Sequence, residues 1–101
     1  GDDVDIVACF KALSDDTRYR IFMKLKSKEF CACDLLESFE ITQPTLSFHM
    51  RKLMECGLVV GKKDGIWMRY RINDAVVKQV IEQLEATLAP VDCLCEGKCA
   101  K

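Results

Sequence analysis

KEFCACDLLESFEITQPTLSFHMRKLMECGLVV, residues Lys28 to Val60, sets two thiols one residue apart directly ahead of a pattern that reads as two short helices joined by a tight turn. CDLLESF has the apolar spacing of a short helix, and EIT makes the turn. Thr42 is placed to cap a second helix whose first turn accepts Pro44, because an N–H there has no intrahelical partner. In that second helix Leu46, Met50, Leu53 and Met54 recur at i, i+4, i+7 and i+8 as one apolar stripe, and Gly57 closes it. With the stripe buried, the other face carries Gln43, Thr45, Ser47, Phe48, Arg51 and Lys52, with His49 toward its edge. These types suit a DNA major groove. An amide matches adenine edges, hydroxyls match donors or acceptors, a guanidinium matches guanine or phosphate, and a ring matches a thymine methyl.

Downstream, LVVGKKDGIWMRYRI changes period, and two alternating runs around Asp64-Gly65 predict a β-hairpin with those two residues as its turn. Ile66, Met68, Tyr70 and Ile72 face one way, Trp67, Arg69 and Arg71 the other. Lys62 and Lys63 near the tip are placed to reach flanking DNA backbone or minor groove. Upstream, DIVACFKAL has helical spacing, and Ser14 offers the N-cap of a second helix running to about Ser27. From Asn73, NDAVVKQVIEQLEATL returns to helical spacing until Pro90. The pattern predicts a mainly α chain with a small β-hairpin, a winged helix-turn-helix over residues 1–90, followed by a Cys-rich tail over 91–101.

The 101 residues suit one domain, half of them apolar and 31% charged, with no apolar run of 18, so a globular protein without a membrane span is expected. GDDVDIV lacks the basic and apolar start of a secretory signal, which predicts a cytoplasmic location. A net charge of −1 excludes a uniformly basic nucleic-acid binder, but the distribution is uneven. Residues 18–28 carry Arg18, Arg20, Lys24, Lys26 and Lys28 and no acid. Residues 43–71 carry Arg51, Lys52, Lys62, Lys63, Arg69 and Arg71 against Glu55 and Asp64. No paired catalytic carboxylates, nucleophile triad or phosphate-binding glycine loop appears, so the sequence predicts no enzyme.

Seven cysteines cannot all pair within one chain. Clustered reduced thiols, here Cys31/Cys33 and Cys93/Cys95 with Cys99, read as soft-metal or redox sites. Cys31 and Cys33 fall at the predicted start of the third helix, where free N–H groups and the helix dipole favour the thiolate, with Asp34 opposing. On a regular helix residues two apart point about 200° from each other, so chelation by both sulfurs must unwind or prevent that turn. Cys9 and Cys56 sit on apolar stretches and are expected in the core. Stripes through Ile6, Val7 and Phe10 and through Val80, Ile81, Leu84 and Leu88 suit a dimer interface. A twofold dimer would set two reading helices about 34 Å apart and predicts an inverted-repeat operator.

KALSDDTRYRIFMKL, FCACDLLESFEITQPTLSFHMRKL and ECGLVVGKKDGIWMRYRI together resemble the ArsR/SmtB family of bacterial metalloregulatory repressors, in its arsenic-responsive ArsR branch, over roughly residues 6–89. The resemblance implies a homodimer that binds double-stranded operator DNA and lets go when a toxic metalloid binds. It maps base contacts onto Gln43, Thr45, Ser47 and His49, with Phe48 where many relatives carry a polar residue. It implies As(III) or Sb(III) as inducer, held by three thiolates and no organic cofactor, but the family's third position, three residues after Cys33, is Leu36. Cys93, Cys95 and Cys99 of either subunit remain as donors. So do a two-thiolate site completed by an exogenous ligand and a separate site within the tail. The zinc site of the family's zinc sensors is absent, since the last helix holds no histidine. Sensing of cadmium, lead, oxidants or persulfides is the alternative signal. A thiol-disulfide oxidoreductase or a winged-helix interaction module without an operator are the readings from other classes.

Overall fold

Side-chain caps start four of the five helices in the computed structural model, which describes residues 4–91. Asp5 caps α1 (Ile6–Leu13) by accepting from Ala8 N–H at 3.1 Å, and Asp15 caps α2 (Asp16–Leu25) by accepting from Arg18 N–H at 2.9 Å. Thr42 caps α4 (Gln43–Glu55) and Asn73 caps α5 (Asp74–Leu88) in the same way. The exception is α3 (Ala32–Phe39), whose N-cap is Cys31 and which has no side-chain cap bond. Such a bond is worth about 0.5–2 kcal/mol, so α3 begins with less support than its neighbours. Ser14, predicted as the cap of α2, instead ends α1, its hydroxyl donating to the Lys11 carbonyl at 2.7 Å. The carboxylate of Asp15 takes the capping position one residue later.

Between α2 and α3, β1 (Phe30–Cys31) forms an edge strand too short to show any period in sequence. With β2 (Val59–Asp64) and β3 (Trp67–Ile72) it makes a three-stranded antiparallel sheet in the order β1-β3-β2. The register pairs Asp64 with Trp67, so the turn is Gly65–Ile66 rather than Asp64-Gly65. Gly65 takes a φ of +66° while Ile66 does not, the pattern of a type II′ turn, in which the first central residue needs positive φ. Ile66 consequently sits in the turn, 88% exposed, instead of on the inward face with Met68, Tyr70 and Ile72. Trp67, predicted outward, packs partly against the core.

The predicted α4 stripe is the centre of that core. Leu46, Met50 and Leu53 are fully buried together with Ile21, Leu35 and Leu58, and Met54 packs against them. After α4, Gly57 N–H donates to the Met54 carbonyl and Leu58 N–H to the Leu53 carbonyl, the two bonds of a Schellman motif, with Gly57 at φ +90°. The turn from α3 into α4 is made by Glu40 at φ +53°, a left-handed position that costs a non-glycine residue about 1–2 kcal/mol. In contrast to α4, α5 buries no residue within the chain.

Candidate nucleic-acid interface and thiol site

The exposed face of α4 presents Gln43, Thr45, Ser47, Phe48, Arg51 and Lys52, all outside the core, as its periodicity predicts. His49, expected toward the edge of that face, lies on the buried side. It is only 8% exposed, because it lies three residues after Leu46 and four before Leu53 and so joins the buried side. Its Nδ1 stands 3.2 Å from Arg18 Nη1 and 3.8 Å from Asp15 Oδ2. A guanidinium only donates, so Nδ1 accepts. Arg18 Nε also donates to the Ala12 carbonyl at 2.6 Å, so this one side chain ties the end of α1 and the start of α2 to the recognition helix. The Asp15 carboxyl is held below its usual range, first by the Arg18 backbone N–H and then by the nearby Arg18 charge. Sequence reading counted Arg18 only as part of a basic run. The signal for its role is the cap-box spacing to Asp15, which places it in the first turn beside α4.

Lys62 and Lys63 are exposed on β2, opposite Arg69 and Met68 of β3. Arg69 Nε donates to Glu29 Oε2 at 2.7 Å, and its Nη1 lies 3.9 Å from Asp64. The hydrogen bond from Arg69 lowers the Glu29 carboxyl below its ordinary value of 4.5. Arg69 also pairs across the ladder with Cys31 of β1. One residue therefore stands between the first thiol and the basic wing, a link that a two-residue strand gave no means of foreseeing.

The thiol site lies where β1 hands over to α3. Cys31 has extended backbone, φ −83° and ψ 161°, and only Cys33 is inside the helix. The helix boundary thus runs between the two cysteines. Their sulfurs do not point apart, as two positions in one helical turn would, but meet, joined as a disulfide. Because the helix starts only after Cys31, the sulfurs meet without unwinding, the second of the two routes the spacing allowed. Asp34 Oδ2 lies 3.4 Å from Cys31 Sγ. Among the described residues, Cys31, Cys33 and Asp34 hold their ligating atoms within 4.8 Å of one another. Once reduced to the dithiol, two soft sulfurs and one carboxylate suit a thiophilic ion, and a trithiolate requires one more sulfur. Leu36 packs against the core and offers none. The tail residues Cys93, Cys95 and Cys99 lie outside the described residues.

Cys9 and Cys56 are free thiols packed where α1 meets the end of α4, as expected of core residues. Cys9 Sγ lies 3.5 Å from the Cys56 carbonyl, and burial together with the neighbouring Cys56 thiol pushes its pKa up to about 12. Such a thiol is a poor metal ligand, because the thiolate is the binding form. No helix among the described residues is long and apolar enough to cross a membrane.

Residues 15–60 match the family described as "Bacterial regulatory protein, arsR family". The chain is 42% identical over 80 residues to the arsenical resistance operon repressor of Staphylococcus aureus, covering 79% of this chain and 77% of that protein. It is 38% identical over 81 residues to a cadmium resistance transcriptional regulatory protein CadC homolog of the same organism, covering 79% and 67%. Among solved structures, an ArsR-like transcriptional regulator from Rhodococcus sp. RHA1 superposes with a TM-score of 0.72 at 30% identity, over 81% of this chain and 77% of that one.

Proposed function

Because this chain belongs to the arsR family of bacterial regulatory proteins, whose members are transcriptional regulators and not enzymes, we propose that it is a repressor released from its operator by As(III) or Sb(III) bound to Cys31 and Cys33. The observation that carries this reading is the meeting of two sulfurs and a carboxylate at the uncapped start of α3, the helix that packs on the recognition helix. Gln43, Thr45 and Ser47 read base edges, and Arg51, Lys52, Lys62 and Lys63 hold phosphates. His49 serves as a strut between α4 and α2 rather than as a base contact. The working unit is a cytoplasmic homodimer on an inverted repeat. Val7, Phe10, Ile81 and Leu88, 44–73% exposed on α1 and α5, supply an apolar face for the partner. Cys93, Cys95 or Cys99, from either subunit, supplies the third thiolate.

The trigger follows from where the sulfurs sit. In the reduced protein Cys31 lies on β1 and Cys33 in the first turn of α3, so one ion held by both thiolates, with loss of their two protons, ties the β1–β3 ladder to that turn and draws one against the other. Both displacements reach the DNA-reading elements, one through Arg69 to the wing and one through α3 to α4. A release factor of 100 to 1,000 needs about 3 to 4 kcal/mol of differential binding, and DNA must weaken metalloid binding by the same factor.

A cadmium or oxidant signal is the second reading. It is favoured by the carboxylate at the site, by the likeness to the cadmium-resistance regulator, and by the disulfide the two thiols can form. Anisotropy of the reduced protein on DNA from upstream of its own coding region, titrated at fixed salt with arsenite, cadmium and zinc, separates the two. Near-stoichiometric release by arsenite that disappears in Cys31→Ser and in Cys33→Ser is expected. Unchanged release in both variants sinks the assignment, and release by cadmium alone moves it to the second reading.

A further inference from the structure

Phe48 is the one large apolar side chain on the exposed face of α4, at 44% exposure, and it takes no part in the core. Helical spacing puts it one turn after Pro44 and Thr45 and one turn before Arg51 and Lys52, in the middle of the face that the groove would receive. Three cations of the same chain stand around the ring. Arg18 lies 5.9 Å, Arg51 5.8 Å and Lys52 5.5 Å from its centroid, and His49 meets it edge-on at 5.7 Å. These separations are within the range of cation–π attraction, so the cations also hold the ring in place.

An apolar centre flanked by cations is a poor match for an apolar protein surface, which would supply no countercharge to Arg51 and Lys52. It does match a major groove, where phosphates line both walls and the apolar feature offered by the bases is the C5-methyl of thymine. We propose that Phe48 is a specificity-determining residue that reads thymine through this methyl, while Arg51 and Lys52 engage the flanking phosphates and Arg18, held by Ala12 and His49, backs the ring. The inference rests on the operator-binding reading above and adds to it one base identity and the group that recognises it.

Removing a methyl buried against the ring costs about fourfold in affinity, and about fifteenfold if both half-sites of a twofold complex lose it. The test begins with a site selected by the wild-type protein from a randomised duplex pool. That site is then synthesised in two forms, one with thymine and one with deoxyuridine at every thymine position. Wild type should bind the uracil duplex about fifteenfold more weakly. Phe48→Ala, which alters an exposed position and leaves the core intact, should bind both duplexes equally, and Phe48→Leu should keep part of the discrimination. The inference is overturned if wild type ignores the substitution or if Phe48→Ala discriminates as well as wild type. Selection of no sequence at all would remove the operator reading and this inference with it, whereas a selected site indifferent to uracil removes this inference alone.

Discussion

Replacing Gly61 with alanine tests how the wing is joined to the recognition helix. A Cβ at Gly61 would stand 2.8 Å from Met54 Sδ on α4 and 3.0 Å from both Met68 Cε and Tyr70 Cε1 on β3. Gly61 has no positive φ, so backbone strain is not at issue. An unstrained Gly→Ala change ordinarily stabilises by about 0.4–1 kcal/mol through the unfolded chain. Overpacking opposes it with about 1–3 kcal/mol. The two methionine tips can swing aside, but the Tyr70 ring is buried directly across the ladder and cannot. Overpacking therefore wins, and we expect a net loss of about 1–2 kcal/mol, or roughly 4–8 °C in Tm for each kcal/mol in a domain of this size. Thermal and urea unfolding of the reduced protein measure it. A double-mutant cycle with Met54→Ala should show coupling, because truncating Met54 relieves part of the crowding. Gly61→Ala as stable as wild type, with no coupling to Met54, would refute the close approach as a fixed feature of the fold.

Three further outcomes follow from positions away from the interface. Glu40→Gly should stabilise the protein by about 0.5–1 kcal/mol in urea unfolding, since glycine relieves the left-handed cap between α3 and α4. Native Cys9 should alkylate at pH 8 about a thousandfold more slowly than in the unfolded chain, because its pKa rises from 9.0 to about 12 and its sulfur is inaccessible; equal rates in mass-spectrometric footprinting would contradict the buried placement. Glu29 has a depressed folded pKa, so its pairing with Arg69 contributes stability above its unfolded value near 4.5 and loses it as pH falls through the lower folded value. Glu29→Gln should accordingly be the less stable protein at pH 7, and the difference should close as the pH falls below 4.5 and through the lower folded value, as pH-dependent melting would record.

What the sequence made legible were the features that repeat or that need a particular residue. The α4 stripe from Leu46 to Met54 spans more than two turns, Thr42 is a side chain with one good use before Gln43-Pro44, and Gly57 is the residue a Schellman motif asks for. All three stand where the pattern put them. Beyond the unforeseen strand β1 and the role of Arg18, most of the misses are shifts of a single residue. Ser14 and Asp15 are both competent caps, and only the tertiary path decides between them. The hairpin turn moved from Asp64-Gly65 to Gly65–Ile66 because register, not dipeptide preference, fixed where positive φ was needed. His49 occupies the edge of an amphipathic helix, where a rotation of a few degrees separates an exposed position from a buried one, and Arg18 and Asp15 lie against it from another helix. At the thiols one residue of boundary changed the geometry qualitatively. With Cys31 in a strand and Cys33 in a helix, the sulfurs converge, whereas two helical positions would have separated them.

The brevity of β1 and the uncapped start of α3 also bear on speed. On the proposed mechanism, the structure that must open to admit an ion is a two-residue edge strand and a single helical turn, while the core around Leu46, Met50 and Leu53 stays closed. Rearrangements of that size relax in about a microsecond or less. Conformational change would then never limit how quickly a cell responds. The delay between exposure and transcription would be set by ion arrival and thiolate exchange, and a variant with a stronger cap at the start of α3 would alter the dose at which repression ends far more than the lag before it does.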